Sequence, residues 1–190
     1  MKTTKMMIVG VGGQGTLLAS KLLGRLLLAR GLDVKVSEVH GMSQRGGSVV
    51  TYVCFGDKVA SPIVDRGEAD FILSFELLEA ARWVSYLAPD GVLITNTQQV
   101  NPMPVITGAA AYPEQLAEKM AALGLKLDAF DALSPALEAG TSKAVNLVLL
   151  GRLSRYFDFT EEEWMTAIRA GVPERFLTLN ISAWKKGRES

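Results

Sequence analysis

Short apolar runs alternate with amphipathic stretches along the chain as far as Phe130, a pattern that is typical of α/β proteins. Met6–Val9 is an apolar run bounded by glycine and predicts a buried strand. Thr16–Arg30 carries leucines at helical spacing and predicts a helix, which Gly31 ends. Asp33–Val39 alternates between apolar and polar residues and predicts a second strand. We expect this strand–helix–strand unit to be parallel and right-handed.

The remaining pattern extends this unit into a larger sheet. Further strands are predicted at Ser48–Phe55, Asp70–Phe75, Val92–Thr95 and Lys126–Phe130. After a turn at Gly56–Lys58, Val59–Val64 predicts a hairpin partner for the preceding strand, and Pro89–Gly91 predicts another turn. Helices are predicted at Glu76–Leu87, Pro113–Leu123, Ser142–Phe157, Thr160–Ala170 and Glu174–Lys186. We therefore expect one domain over residues 1–190, a Rossmann-like, mostly parallel sheet flanked by helices, with a hairpin insertion and a helical C-terminal tail.

Composition narrows the chemistry that such a fold can perform. The 20 basic and 20 acidic residues are balanced and mixed, so the sequence predicts neither a nucleic-acid groove nor a membrane-binding surface. Lys21 and Arg25 interrupt the leucine-rich helix, which excludes it as a membrane span. Cys54 is the single cysteine and cannot supply the roughly four thiolates of an iron–sulfur cluster. We expect it to be a buried, unreactive residue in a cytoplasmic protein.

A glycine-rich loop with the spacing G-x-G-x-x-G joins the first strand to the first helix. Glycine allows a tight turn and lets a ligand approach the backbone amides, while the N-terminus of the following helix favours an anion. The loop predicts an anion- or nucleotide-binding site, and the alternative is a tight turn that binds nothing. The candidate residues are Gly10, Gly12, Gly13, Gln14 and Gly15.

Polar residues continue from the end of the second strand. Glu38 stands about as far from the glycine loop as the acid that holds a ribose hydroxyl in dinucleotide-binding folds; a solvated acid or an ion pair with Arg45 is the alternative. The next loop lies where open α/β sheets bind ligands, and its arginine can hold a carboxylate or phosphate. Its histidine can act as a general acid, although a structural role is commoner for a lone histidine. The candidates in this loop are His40, Gly41, Ser43, Gln44, Arg45, Gly46 and Gly47.

Two later strands also end in polar residues. Ser74–Glu76 and Asn96–Gln98 are expected to line the same edge of the sheet, with helix capping and loop hydrogen bonding as the simpler role. The sequence contains no Ser/His/Asp elbow, no cysteine–histidine metal cluster, no Walker lysine and no thiamine diphosphate motif. We therefore assign no catalytic and no metal-binding residue.

Three stretches of the chain carry a resemblance to a known family: Val9–Gly15, Val36–Val49 and Ser142–Gly151. Together with shorter matches at Gly67–Asp70 and Asn96–Gln98, they resemble the gamma subunit or domain of pyruvate/2-oxoacid:ferredoxin oxidoreductases, above all the small (beta) subunit of the indolepyruvate branch. The resemblance implies a non-catalytic subunit of a complex that oxidatively decarboxylates a 2-oxoacid to an acyl-coenzyme A and passes electrons to ferredoxin.

The resemblance also implies which chain carries which group. Thiamine diphosphate, magnesium and iron–sulfur clusters would belong to a larger catalytic partner, and this chain would hold no cofactor of its own. The glycine loop and the loop from His40 to Gly47 would form an interface or part of the coenzyme A region, with Asn146 as a further candidate. Two alternatives stay open on the residues alone: a free-standing NAD- or FAD-binding oxidoreductase, and a scaffold that binds no ligand.

Overall fold

The computed structural model describes residues 2–38 and 47–190 and contains one six-stranded sheet. The strands are β1 (Thr4–Val11), β2 (Asp33–Glu38), β3 (Ser48–Gly56), β4 (Ala69–Ser74), β5 (Leu87–Asn96) and β6 (Lys126–Phe130). Their order across the sheet is β2-β3-β1-β4-β5-β6. Strands β1, β4, β5 and β6 are parallel, whereas β3 is antiparallel to both of its neighbours. The predicted α/β class with a mostly parallel sheet is confirmed.

Helices cover both faces of this sheet. They are α1 (Thr16–Ala29), α2 (Leu77–Trp83), α3 (Met103–Ile106), α4 (Leu116–Ala121), α5 (Leu133–Glu138), α6 (Val145–Leu153), α7 (Glu161–Gly171) and α8 (Leu177–Glu189). Helix α7 begins with the predicted capping box, in which Thr160 and Glu163 exchange side-chain to backbone hydrogen bonds. Within the two described ranges, no helix has both the length and the apolar character needed to cross a membrane.

Strand β3 lies between β1 and β2, which the sequence pattern did not predict. It pairs along its whole length with β1, from Val11 opposite Ser48 to Thr4 opposite Phe55, and β2 pairs with its other edge. Strands β1 and β2 therefore run in the same direction, as expected, but they are two strand spacings apart. At about 4.8 Å per spacing, β2 lies roughly 10 Å from β1.

The predicted hairpin partner at Val59–Val64 is wrong, because this segment contains no strand. Both hydrogen-bonding edges of β3 are already occupied by β1 and β2, so no edge is left for a third strand. The segment instead buries Val59 and Val64 against one face of the sheet. The backbone amide of Val59 donates to the Asp33 carboxylate at 2.8 Å, which fixes the segment to the start of β2.

Two further sequence predictions need correction. Pro89–Gly91 does not form a turn between elements but lies inside β5, where the pairing with β4 is irregular. A Cβ atom on Gly91 would lie 2.6 Å from the carbonyl oxygen of Ala69, so this irregularity requires glycine. The helix predicted from Pro113 begins three residues later, because Gln115 has a φ of 55° and ends the extended segment before α4.

Hydrophobic packing on the two faces of the sheet explains the continuous apolar run in β1. Met6 and Ile8 pack on the face covered by α1, α6, α7 and α8, while Met7 and Val9 pack on the face covered by α2 and α4. Strands that are buried on both faces lose the apolar–polar alternation of a half-exposed strand. The glycine loop follows β1 directly, so its position is fixed by a strand that packs into the hydrophobic cores on both faces of the sheet.

Candidate functional site

The glycine loop forms a tight turn at the carboxyl end of β1. The amide of Gly12 donates to the carbonyl of Gly47 at 2.8 Å, and the amide of Gln14 donates back to Val11 at 3.2 Å. Gly13 and Gly15 have φ values of 100° and 90°, a conformation that other residues adopt only with strain. The loop thus requires glycine for its backbone geometry, as the sequence predicted.

Some backbone amides at this turn form no hydrogen bond within the described residues. In the described part of the chain, the amides of Gly13, Gly15 and Thr16 donate to no acceptor. Thr16 begins α1, a 14-residue helix with no acidic residue in its first turn. Unpaired amides at a helix N-terminus carry a partial positive charge, and they suit an anionic group such as a phosphate.

The side chain of Gln14 has a structural role. Its Oε1 accepts from the amide of Val11 at 2.8 Å, and its Nε2 donates to the carbonyl of Phe75 at 3.2 Å. These two bonds join the glycine loop to the end of β4. Both polar atoms of the Gln14 amide take part in these bonds, so the side chain supports the turn.

Asn146 lies directly against the glycine loop. Its side chain is 4% exposed, and a Cβ atom on Gly15 would come within 2.8 Å of its Nδ2. The Oδ1 of Asn146 accepts from the amide of Leu147 at 2.9 Å, at the start of α6. The structure therefore brings together Gly15 and Asn146, two residues that the sequence analysis had selected from stretches far apart in the chain.

A cleft of about 410 Å³ opens in front of the glycine loop. Its walls are formed by Gly13, Gln14, Gly15, Gln98, Val100, Leu133, Ser142, Lys143 and Val145. Lys143 is exposed and has no acidic partner among the described residues. Lys143 was not among the residues predicted from the sequence, although a lysine just before the apolar helix of a matching stretch was a usable signal.

The segment that follows β5 contributes Gln98 and Val100 to this cleft and is hydrogen-bonded to the end of β4. Asn96 is fully buried, and its Nδ2 donates to the carbonyl of Phe75, the same oxygen that Gln14 reaches. The amide of Leu77 donates to the carbonyl of Gln98 at 3.0 Å. The predicted meeting of Ser74–Glu76 with Asn96–Gln98 at one edge of the sheet is therefore confirmed.

Glu76 fulfils the simpler of its two predicted roles. It is 1% exposed, caps α2 by accepting from the amide of Glu79 at 2.8 Å, and also accepts from the amide of Val100 and the hydroxyl of Tyr112. Burial, reinforced by the bond to Glu76, raises the pKa of Tyr112 far above its usual value. These hydrogen bonds connect Glu76 to three other parts of the chain, so its role is structural.

Glu38 does not lie beside the glycine loop. Its Oε1 accepts a hydrogen bond from the Ser20 hydroxyl on α1 at 3.2 Å. Because β3 separates β2 from β1, the carboxylate is displaced by one strand from the position that a ribose-binding acid occupies next to the loop. This arrangement disfavours the NAD- or FAD-binding alternative.

Of the loop that follows, only Gly47 is described; His40, Gly41, Ser43, Gln44, Arg45 and Gly46 lie outside the described residues.

Cys54 lies in the core, as predicted. It is fully buried, its Sγ donates to the carbonyl of Pro62 at 3.4 Å, and burial raises the pKa of the thiol. Across residues 2–38 and 47–190, no three His, Cys, Asp or Glu side chains gather in a way that could hold a metal ion.

Comparison with known protein families identifies the family of this chain. Residues 5–190 match the family described as pyruvate ferredoxin/flavodoxin oxidoreductase. The chain belongs to this family. The match covers nearly all of the sequence, including the glycine loop and all of the C-terminal helices, for which the sequence itself offered no signature.

Relatives in the pyruvate ferredoxin/flavodoxin oxidoreductase family include small subunits of oxidoreductase complexes. The indolepyruvate oxidoreductase subunit IorB of Thermococcus kodakarensis is 44% identical and matches 98% of this chain and 95% of its own length. The subunit of the same name from Archaeoglobus fulgidus is 36% identical over 95% of this chain and 91% of its own length. The relatives are therefore similar to this chain in both sequence and size.

Solved structures of the family share the fold. The gamma subunit of a keto/oxoacid ferredoxin oxidoreductase from Geobacter sulfurreducens superposes with a TM-score of 0.72 at 22% identity, covering 98% of this chain and 96% of that one. A 2-oxoglutarate:ferredoxin oxidoreductase from Magnetococcus marinus gives a TM-score of 0.74 at 18% identity, covering all of this chain but 31% of that longer chain. The same architecture thus exists as a separate subunit and as part of a longer polypeptide.

Proposed function

We propose that this chain is the small, non-catalytic subunit of a 2-oxoacid:ferredoxin oxidoreductase of the indolepyruvate type. The 44% identity to an indolepyruvate oxidoreductase subunit over 98% of the chain carries this proposal. In the complex, a larger partner would bind thiamine diphosphate, magnesium and iron–sulfur clusters, oxidatively decarboxylate the 2-oxoacid and reduce ferredoxin. A single, fully buried cysteine fits this division of labour and a cytoplasmic location.

The cleft at the glycine loop is the part of this chain that we propose to contribute to the reaction, by holding a phosphate of coenzyme A. Gly13 and Gly15, whose amides have no acceptor among the described residues, line this cleft together with the exposed Lys143, and the amide of Thr16 is also unpaired at the start of α1. Amides and an ammonium group together suit a phosphate. The Magnetococcus marinus relative was solved with coenzyme A and succinyl-coenzyme A bound, which supports this ligand class.

The isolated chain is expected to show no oxidation of indolepyruvate, pyruvate or 2-oxoglutarate with an artificial electron acceptor. Turnover should appear when the chain is co-expressed with a thiamine-binding partner subunit, because the redox groups would be held there. The assay measures dye reduction with and without coenzyme A for the chain, the partner and the complex. Turnover by the purified chain alone would refute the proposed role.

Lys143→Glu in the reconstituted complex is expected to raise the KM for coenzyme A about tenfold or more, since a phosphate would face a carboxylate in place of an ammonium group. The kcat at saturating coenzyme A should change little. The effect should shrink as salt is added, because Lys143 is exposed and its charge is screened.

Lys119→Glu is the matched control for this measurement. It makes the same change of charge at an exposed lysine of α4, which does not line the cleft. Equal KM values for coenzyme A in the two variants would show that the cleft holds no phosphate of this ligand.

A further inference from the structure

The orientation of the buried Asn96 amide is fixed by backbone groups. Its Oδ1 accepts from the amides of Ala132 at 3.0 Å and Gln98 at 3.3 Å, while its Nδ2 donates to the carbonyl of Phe75 at 3.3 Å. Backbone amides can only donate and a backbone carbonyl can only accept, so a flipped Asn96 would lose all three bonds. Asn96 is fully buried and ties together the ends of β4, β5 and β6.

This fixed amide determines which way the Gln98 side chain faces. The Nδ2 of Asn96 also donates to the Oε1 of Gln98 at 3.3 Å, so the carbonyl oxygen of Gln98 must point toward Asn96. The Nε2 of Gln98 is then directed away from Asn96 and has no acceptor in the described part of the chain. Gln98 is only partly buried, and it lines the cleft in front of the glycine loop.

We propose that Gln98 contacts the ligand of this cleft by donating a hydrogen bond from Nε2 to an oxygen atom of coenzyme A, and that Asn96 is the positioning residue that keeps this donor facing the cleft. The proposal rests on the proposed function, which supplies the ligand. Gln98 would add a directed neutral donor to the cleft that the glycine loop amides also line.

Gln98→Glu tests the proposal with minimal disturbance of the fold. The glutamate can still accept the hydrogen bond from Asn96, so only the outward-facing atom changes, from a donor to a charged acceptor. In the reconstituted complex we expect the KM for coenzyme A to rise about tenfold or more, with kcat at saturation little changed. Isothermal titration of the complex with coenzyme A should show the same loss of affinity.

Gln99→Glu is the matched control, because it adds the same charge at the neighbouring, exposed glutamine. If Gln98→Glu and Gln99→Glu have equal affinities for coenzyme A while Lys143→Glu weakens binding, the role of Gln98 is overturned and the ligand site stands. If none of the three affects coenzyme A, both the role and the proposed ligand site fail.

The positioning role of Asn96 has its own test. An aspartate at position 96 would accept where Asn96 Nδ2 now donates, so Gln98 should reverse and turn its carbonyl oxygen toward the cleft. The aspartate would also lose the bond to the carbonyl oxygen of Phe75, but that loss does not depend on the residue at position 98, so comparing two backgrounds separates it from the reversal of Gln98. Asn96→Asp is therefore expected to raise the KM for coenzyme A several-fold in the parent, but not in a Gln98→Ala background, where there is no amide to reverse. An equal effect in both backgrounds would show that Asn96 acts only on the fold.

Discussion

Replacing Gly187 with alanine is expected to lower the free energy of unfolding by at least about 3 kcal/mol, at the upper end for overpacking of a core. Helices α6 and α8 cross in backbone contact at this residue. A Cβ atom on Gly187 would lie 1.9 Å from the carbonyl oxygen of Val148 and 2.6 Å from its carbon. Gly151 lies in the reciprocal position, since a Cβ atom on it would come within 2.0 Å of the carbonyl oxygen of Trp184. Since backbone atoms cannot move aside by changing rotamer, the two helices would have to separate.

The same substitution at Gly24 is the control and should have the opposite sign. Gly24 lies within α1, and a Cβ atom there would meet no heavy atom within 4 Å. Alanine is expected to stabilise this helix by about 0.5–1 kcal/mol relative to glycine. Urea denaturation followed by circular dichroism compares the midpoints of the two variants with the parent. A midpoint for Gly187→Ala equal to the parent's would disprove the close helix contact.

The sequence predicted the elements of this fold better than their arrangement. The strands at Met6–Val9 and Lys126–Phe130 were predicted correctly because apolar spacing and flanking glycines are local signals. The capping box at Thr160 is an equally local signal. The insertion of β3 between β1 and β2 was not predictable in this way. Which strand edges pair is decided by tertiary packing, and the pattern of Ser48–Phe55 alone does not encode its partners.

The candidate site shows the same division between local and tertiary information. The glycine loop was predicted because its backbone requires glycine at Gly13 and Gly15, a demand that is visible in the sequence. Lys143 was not assigned a role, and Gln98 was expected only to line the edge of the sheet or to bond within a loop. The sequence does not show that the segment before α6 and the segment after β5 meet at the same cleft. Glu38 was given a ribose-binding role from its distance along the chain, and the position of β3 between β1 and β2 disfavours that role.

Replacing Arg152 with methionine is expected to lower the free energy of unfolding by about 3 kcal/mol at pH 7, because it leaves the charge of Asp128 buried without its partner. The side chains of Arg152 and Asp128 are 17% and 11% exposed, and the guanidinium group binds both carboxylate oxygens at 2.8 Å. Tyr156 adds a hydrogen bond to the same carboxylate at 2.7 Å. Arg155→Met is the control. Arg155 is exposed, and within residues 2–38 and 47–190 its side chain hydrogen-bonds to the C-terminal Ser190 and not to Asp128, so we expect a change below about 0.5 kcal/mol.

The pH dependence of this loss identifies its cause. Burial alone would raise the pKa of Asp128, but the hydrogen bonds from Arg152 and Tyr156 outweigh it and hold the pKa below its usual value. In the parent, the stabilisation from Asp128 is therefore fully present above about pH 4 and is lost as the pH falls through the lowered pKa.

In Arg152→Met, burial, the largest influence on the pKa of Asp128, is opposed by the hydrogen bond from Tyr156 and the weaker effect of the Arg155 charge. The pKa of Asp128 should therefore rise above its usual value, and the carboxyl group should take up a proton as the pH falls toward 5. The protonated group no longer carries a buried charge, so the difference in unfolding free energy between parent and variant should narrow from pH 7 to pH 5. Adding Asp128→Asn to Arg152→Met should remove this narrowing, because asparagine does not titrate. If the difference instead stays constant over this range, loss of the guanidinium contact with the Phe130 ring, and not the unpaired charge of Asp128, accounts for the destabilisation.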